Sequence, residues 1–205
     1  MSEKIFSSLH QAKKLGSAIV VNDFIGCGND RDCWQHPSNL DLCIKVAKPE
    51  QERPQNDIDF HYAQHLKKQD ISGYHMPRVY GWVLTDKGPG LVFDLIRDYG
   101  GTVSKRLLVA LSDADISFAQ AEQIVAQAFT WLIENRVILA DYGIDNLLVQ
   151  NYAPGLYRIV IVDGLGARNF SVNYWINRKL GFKAVRKARE FHQMTLDLMR
   201  KHLGI

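Results

Sequence analysis

Asp141-Tyr142-Gly143-Ile144-Asp145-Asn146 decides the reading of this chain, together with Asp163-Gly164-Leu165-Gly166, which begins 17 residues after Asn146. An apolar helical run leads into the first stretch, two short β-type segments follow it, and the apolar strand Ile159-Val160-Ile161-Val162 runs straight into Asp163. This spacing predicts two carboxylates and one amide at one rim. In phosphoryl transfer such a set has a defined use. One Asp takes the proton of the attacking hydroxyl, while an Asn five positions on and a later Asp hold magnesium on the nucleotide phosphates. Asp141, Asn146 and Asp163 stand in those positions. Either piece alone is weak, because Asp-x-x-x-x-Asn recurs by chance and Asp-Gly is a common turn dipeptide. The apolar strand entering Asp163 makes the combination more specific.

A chain of 205 residues with 46% hydrophobic content suits one large domain or two small lobes around a buried core. No apolar run approaches the roughly 20 residues that span a bilayer, so no transmembrane segment is expected. Lys4, His10, Lys13 and Lys14 interrupt the N-terminal apolar residues, which lack the core of a signal peptide, and a cytoplasmic protein is expected. Cys27, Cys33 and Cys43 are odd in number and lack the paired spacing of a zinc site, which predicts reduced thiols, with Cys27 the exposed one. The net charge of +3 is uneven: residues 167–205 carry nine Lys or Arg against Glu190 and Asp197, a balance of +7 that leaves residues 1–166 at −4.

Residues 1–17 carry Ile5, Leu9 and Ala12 at helical spacing, and Ile19-Val20-Val21 reads as a short strand leading toward Gly26-Cys27-Gly28. Residues 31–36 and 40–46 read as two more strands around the turn Pro37-Ser38-Asn39. A glycine loop between antiparallel strands lets backbone N–H groups approach phosphate oxygens, since glycine has no Cβ and accepts positive φ. An ordinary hairpin turn is the competing reading of Gly26 and Gly28. Cys43-Ile44-Lys45-Val46 then puts a lysine inside an apolar strand, which is costly unless an anion meets it. The α- and β-phosphates of ATP are the usual partners of such a lysine in kinases. An edge strand with Lys45 in water is the alternative.

The Gly-x-Gly pair, the string Arg31-Asp32-Cys33-Trp34-Gln35-His36-Pro37 and Cys43-Ile44-Lys45-Val46 together resemble the bacterial PhoP regulatory network protein family, whose members are similar to small protein-kinase-like folds. The resemblance runs from about Ile19 through Asp163, and its distinctive part is the Arg-x-Cys-aromatic-x-His-Pro string. It implies an α+β, two-lobe architecture, with an antiparallel-sheet lobe over residues 1–96 and a short, mainly helical lobe over residues 97–205. It also implies ATP and Mg2+ as cofactors, with Gly26, Gly28 and Lys45 on phosphates. In kinases the helix read over residues 50–70 supplies an acid to pair with the strand lysine. Asp59 matches that position, with Asp57 and Glu52 as alternatives. Residues 76–84 and 90–96 read as strands, and backbone groups from Asp94 to Ile96 would meet the adenine edge. Residues 97–101 form a linker.

In the second half, Ser117-Phe118-Ala119-Gln120 has the form of a capping box, and Ala121, Ile124, Val125, Ala128, Trp131 and Leu132 follow at helical spacing. Three departures from the kinase pattern stand out. The His-Arg that precedes the catalytic Asp is Leu139-Ala140. The lysine two positions after it, which steadies the moving phosphate, is Gly143. After Asp163 only 42 residues follow, without Ala-Pro-Glu. Two functions therefore compete: a phosphotransferase with Asp141 as base, Asn146 and Asp163 on magnesium and an unknown protein or small-molecule acceptor, and a pseudokinase that binds nucleotide and regulates by conformation. Residues 182–203 read as an amphipathic helix with Val185, Ala188, Phe191, His192, Leu196, Met199 and Leu203 on one face. That face closes the second lobe in one reading, while in the other the basic face docks an acidic partner or an anionic membrane surface. No nucleic-acid partner is expected, since no reader motif accompanies the charge.

Overall fold

Strand β3 (Leu42–Ala47) sends Leu42, Ile44 and Val46 to one face and Cys43 and Lys45 to the other, and this period-two split sorts the first sheet. The computed structural model describes residues 5–49, 55–71, 73–140, 143–166 and 182–205. The chain separates into two compact units, Met1–Ser72 with Pro77–Leu95, and Gly73–Met76 with Ile96–Ile205. The first unit holds a five-stranded antiparallel sheet in the order β1-β2-β3-β5-β4, where β1 is Phe24–Cys27, β2 Arg31–Gln35, β4 Val79–Thr85 and β5 Gly88–Asp94. Trp34 pairs with Ile44 and Ile44 with Val92, and these pack with Val21, Val46 and Val83 on one face. Cys33 pairs with Lys45 and Lys45 with Leu91. On that second face Cys43, Trp82, Leu91 and Phe93 pack with Ala12 of α1 (Leu9–Leu15) and Phe60 of α2 (Gln55–Lys67).

The exposed edge of β4 is covered by the segment before α1. Phe6 and Trp82 exchange both backbone hydrogen bonds at 2.8 Å, which satisfies groups that an edge strand would otherwise leave open. Gly81 permits this approach: it sits at φ 145°, and a Cβ there would strike the Phe6 carbonyl. Ile19, expected in a first strand of the sheet, instead makes a single parallel bridge to Thr85. The reason lies at Val21, which is buried and whose N–H donates to the Asp86 carboxylate at 3.0 Å rather than to a ladder.

The second unit combines α3 (Leu107–Ser112), α4 (Phe118–Glu134) and α5 (Phe182–Leu203) with a three-stranded antiparallel sheet of β6 (Lys105–Arg106), β7 (Leu147–Ala153) and β8 (Leu156–Ile161), in that order. Helix α4 starts at the capping box legible in the sequence: the Gln120 N–H donates to Ser117 Oγ at 3.3 Å, and the Ser117 N–H to Gln120 Oε1 at 2.9 Å. Its buried stripe includes Phe129, while Trp131, expected in that stripe, is half-buried with its ring 5.5 Å from that of His75. The helix ends in a paired turn, Val137 N–H to Leu132 O at 2.9 Å and Arg136 N–H to Ile133 O at 3.2 Å, with Arg136 at φ 52° in the place that glycine usually takes.

The short segment Gly73–Met76 belongs to this unit because His75 is stitched to β8 and the residue pairing there is through the backbone: the Ile161 N–H donates to the His75 carbonyl at 2.9 Å. Helix α5 buries Ala188, Phe191, Thr195 and Met199 in the unit, and Phe191 meets Phe129 of α4 edge-on at 5.1 Å between centroids. Leu196, expected in that stripe, lies half-buried on its flank, and Thr195 takes the central position. A hydroxyl can sit there because Thr195 Oγ1 donates back to the Phe191 carbonyl at 2.9 Å. The architecture is α+β, with an antiparallel sheet in the first unit and mainly helices in the second. No helix among the described residues is long and apolar enough to cross a membrane.

Candidate functional site

In the second unit, backbone hydrogen bonds hold the two motif-bearing segments side by side. The Ala140 N–H donates to the Gly164 carbonyl at 2.7 Å, the Gly166 N–H to the Ile138 carbonyl at 2.8 Å, and the Val162 N–H to the Asn146 carbonyl at 2.9 Å. Asn146 closes a short 3-10 turn (Ile144–Asn146) that runs directly into β7, and Asp163 follows the last residues of β8, its partner strand. The sheet register therefore brings Asn146 next to the Val162-Asp163 step. Asp141 lies outside the described residues, one position after Ala140. Asp163 Oδ1 accepts the Gly164 N–H at 2.8 Å, which orients the carboxylate, and Gly164 and Gly166 sit at φ 80° and 97°, where L-residues are strained. An amide oxygen and a carboxylate are hard oxygen donors of the kind that suits Mg2+.

Gly143 has a local reason to be glycine. A Cβ there would come within 3.1 Å of Asn146 Nδ2, so a side chain at this position would press on the amide.

In the first unit, Lys45 is half-buried on the α2 face of the sheet, opposite Cys33, with Nζ 4.6 Å from the centroid of the Phe93 ring. Gly26 extends the same row, paired with Cys33, and a Cβ on it would meet nothing within 4 Å. The glycine stretch itself is a tight hairpin: the Gly28 N–H donates to the Arg31 carbonyl at 2.8 Å across Asn29 and Asp30. Neither Gly26 nor Gly28 has positive φ, so the positive-φ freedom invoked for them is not used. The Gly28 amide is committed to the turn, and Lys48 pins the same residue from β3's end, its Nζ donating to the Gly28 carbonyl at 2.6 Å.

Asp59 carries a different bond from the one expected. Its Oδ2 accepts Arg31 Nη1 at 2.6 Å and its Oδ1 accepts Gln55 Nε2 at 2.9 Å, so the strand cation it meets here is Arg31 rather than Lys45. Asn56, one turn earlier, accepts from Arg31 at 2.9 Å and donates to the Lys45 carbonyl at 2.9 Å. Arg31, Asn56 and Lys48 were not picked out as site residues in the sequence. Arg31 heads the distinctive string, which is the one signal that could have found it. At the end of β5 the backbone is partly committed: the Asp94 N–H donates to Arg78 O at 3.1 Å, the Leu95 N–H to Asp41 O at 2.8 Å, and the Ile96 carbonyl accepts the Ser104 N–H at 3.0 Å. The Asp94 carboxylate accepts the Arg78 N–H and the Tyr80 hydroxyl, and burial with this bond pushes the Tyr80 phenol up to about 12.

The thiols of Cys33 and Cys43 meet on the α2 face, and hydrogen bonding to Cys33 with burial raises the Cys43 thiol well above its ordinary range. Among the described residues no group of three or more His, Cys, Asp or Glu is arranged around a metal position.

Two histidines tie the second unit to pH. His75 Nδ1 donates to the Ile159 carbonyl at 2.7 Å, and burial, reinforced by nearby Arg158, lowers its pKa. Burial lowers His192 as well, against the opposing pull of Glu122. With the folded pKa below the unfolded value of about 6.5, the unfolded chain binds protons first as pH falls. This part of the stability is complete above that value and is lost as pH falls through the folded pKa. Melting temperature is expected to drop from pH 7 toward pH 5.5, and His75→Gln to flatten that slope. An equal slope in the variant would show that His75 does not carry it.

The profile of the family described as PhoP regulatory network protein YrbL matches residues 19–199. The chain is also 29% identical over 148 residues to the uncharacterized protein YrbL of Escherichia coli (strain K12), covering 69% of this chain and 70% of that one. The protein of the same name from Shigella flexneri matches with the same identity and coverage. With a match that takes in both units, from Ile19 through Met199, the chain belongs to the PhoP regulatory network protein YrbL family.

Proposed function

We propose that this protein binds Mg-ATP and transfers phosphate to an acceptor hydroxyl. The observation that carries the reading is the backbone pairing that sets Asn146 beside the Val162-Asp163 step, two residues of the magnesium set of a phosphotransferase on one rim of the second unit. In this reading Asn146 and Asp163 hold the ion, which supplies positive charge to the phosphates. Asp141 takes the acceptor proton, Lys45 meets the phosphates, and the open surface over Gly26 leaves room beside it. The acceptor is a protein or a small molecule.

A second reading, a nucleotide-binding regulatory module without transfer, is favoured by Gly143. The phosphate-steadying lysine of kinases is missing at that position, and the closeness of Asn146 leaves little room for one. Electrostatic stabilisation is usually the largest catalytic contribution, so its absence favours slow or no turnover.

Melting with and without Mg-ATP tests both readings, since a ligand bound by the folded state alone raises stability by about 2.7 kcal/mol at a hundred times its Kd. The shift is expected to depend on magnesium, and Asp163→Asn is expected to remove that dependence. Equal melting with and without millimolar Mg-ATP would exclude both readings. Asp141→Asn separates them: it is expected to abolish autophosphorylation and ATP hydrolysis while nearly sparing the shift. A wild type that binds Mg-ATP but transfers phosphate to no acceptor, itself and water included, leaves the regulatory module.

A further inference from the structure

In the second unit Arg158 of β8 is held in place without a counter-charge. Its Nε donates to Gln150 Oε1 at 2.7 Å, across the register pair that joins these two residues of β8 and β7. Gln150 uses its other end as well, Nε2 donating to the Arg97 carbonyl at 2.7 Å, so its amide has one orientation and offers Arg158 a fixed acceptor. The guanidinium carbon lies 4.5 Å from the centroid of the Tyr74 ring and 5.4 Å from that of Tyr152, and the two rings meet edge-on at 6.4 Å. Among the described residues no carboxylate pairs with this guanidinium. A cation over an exposed ring contributes little by itself and does not require Nε to be fixed. Fixing it costs rotamer freedom and leaves the terminal nitrogens, with their N–H groups, for an acceptor from outside.

We propose that Arg158, framed by Tyr74 and Tyr152, anchors a docking surface for an acidic peptide of a partner protein, its terminal nitrogens taking one Asp or Glu carboxylate through paired N–H bonds. The planar fork matches a carboxylate, and one guanidinium balances its single charge, whereas a phosphate monoester carries about −1.5 to −2. Tyr74 and Tyr152 are exposed, and so is Leu156, which lies on the same face of β8 as Arg158. A small hydrated anion leaves that apolar surface uncovered, while the side chains of a peptide cover it. Tyrosine and arginine are the residues on which interface energy concentrates, and an arginine already held in its bound geometry loses less freedom when a partner arrives. Ala153 and Leu156 close the β7–β8 hairpin at the end away from Asn146 and Asp163, so the surface does not depend on the Mg-ATP reading.

The test selects peptides from a random dodecapeptide phage library on the immobilised full chain, then titrates the synthetic peptides by fluorescence anisotropy. Peptides with an Asp or Glu beside an aliphatic or aromatic residue are expected to be enriched. Replacing that acid by its amide, or Arg158 by Gln, is expected to weaken binding about tenfold or more, and the two changes together no further than either alone. Arg158→Lys keeps the charge and loses the fork, so it is expected to weaken binding about fivefold; far-UV circular dichroism checks its fold, and it carries the comparison if Arg158→Gln does not fold. Gln150→Leu, which frees Nε, is expected to cost about threefold. A library that yields no acidic peptide, or peptides bound within about twofold as well by Arg158→Gln and Arg158→Lys, as they would be on the basic face of α5, overturns the proposal. A phosphoserine in place of the acid that binds more than about tenfold tighter would give the site to a phosphopeptide instead. Self-association of the wild type that Arg158→Gln abolishes would give it to a second copy of this chain.

Discussion

Asp59→Ala is expected to lower the stability of the first unit by about 3–5 kcal/mol, because it removes the carboxylate from a guanidinium that stays buried. Arg31 and Asp59 are in contact at 2.6 Å, with side-chain exposures of 4% and 11%, so water cannot replace the lost partner without opening the packing of α2 on the sheet. The contrast that identifies the mechanism is the double replacement Arg31→Met with Asp59→Leu. It removes both charges and is expected to recover part of the loss, though Asn56 then lacks its donor. Urea unfolding of the wild type and of these two variants measures this. A single Asp59→Ala loss below about 1 kcal/mol, in the range of an exposed ion pair, would mean that the pair is hydrated in solution.

Phe191→Ala is expected to cost about 3–5 kcal/mol, the range for emptying an aromatic site in a core that collapses only partly. The ring is 1% exposed and meets Phe129 edge-on. Leu196→Asp should be milder, since Leu196 is half-buried and its charge can turn toward water. This ordering tests the face that α5 buries. If Leu196→Asp proves the more damaging, the helix is rotated relative to the arrangement described, and Thr195 does not occupy the centre of the stripe. The exposed residues of the same helix are partly paired along it, Arg186 with Glu190 at 3.4 Å and Arg200 with Asp197 at 3.5 Å. Such pairs contribute little and are screened by salt.

Short-range chemistry was open to direct reading. The Ser117 and Gln120 capping box placed the start of α4 correctly, because a cap depends on groups three residues apart. Residues 40–46 read as a strand with a lysine inside an apolar run, and β3 spans Leu42–Ala47, where the alternation of strand side chains puts Lys45 on the face opposite Ile44. The family string was legible too, and the profile match over residues 19–199 agrees with it. The amphipathic character of α5 was read correctly, but its burial centre was not. Hydropathy ranks Leu196 above Thr195, and only a back-bonded hydroxyl reverses that order.

By itself, then, the sequence determined the periodic elements, which follow from local spacing and apolar patterning, and through the string from Arg31 to Pro37 the family, with the α+β class that the resemblance implies. Tertiary structure alone decided which charges meet. The partner of Asp59 turned out to be Arg31, 28 positions away in the chain, rather than Lys45, since pairing on a helix–sheet face depends on the axial rotation of α2 and not on residue type. It also decided that the Gly28 amide closes a hairpin and that Asn146 stands beside the Val162-Asp163 step. The first is a local turn from Gly28 to Arg31 that competed with an anion loop, whereas the second depends on which strand ends adjoin 16 residues apart, an adjacency set by the pairing of β7 with β8.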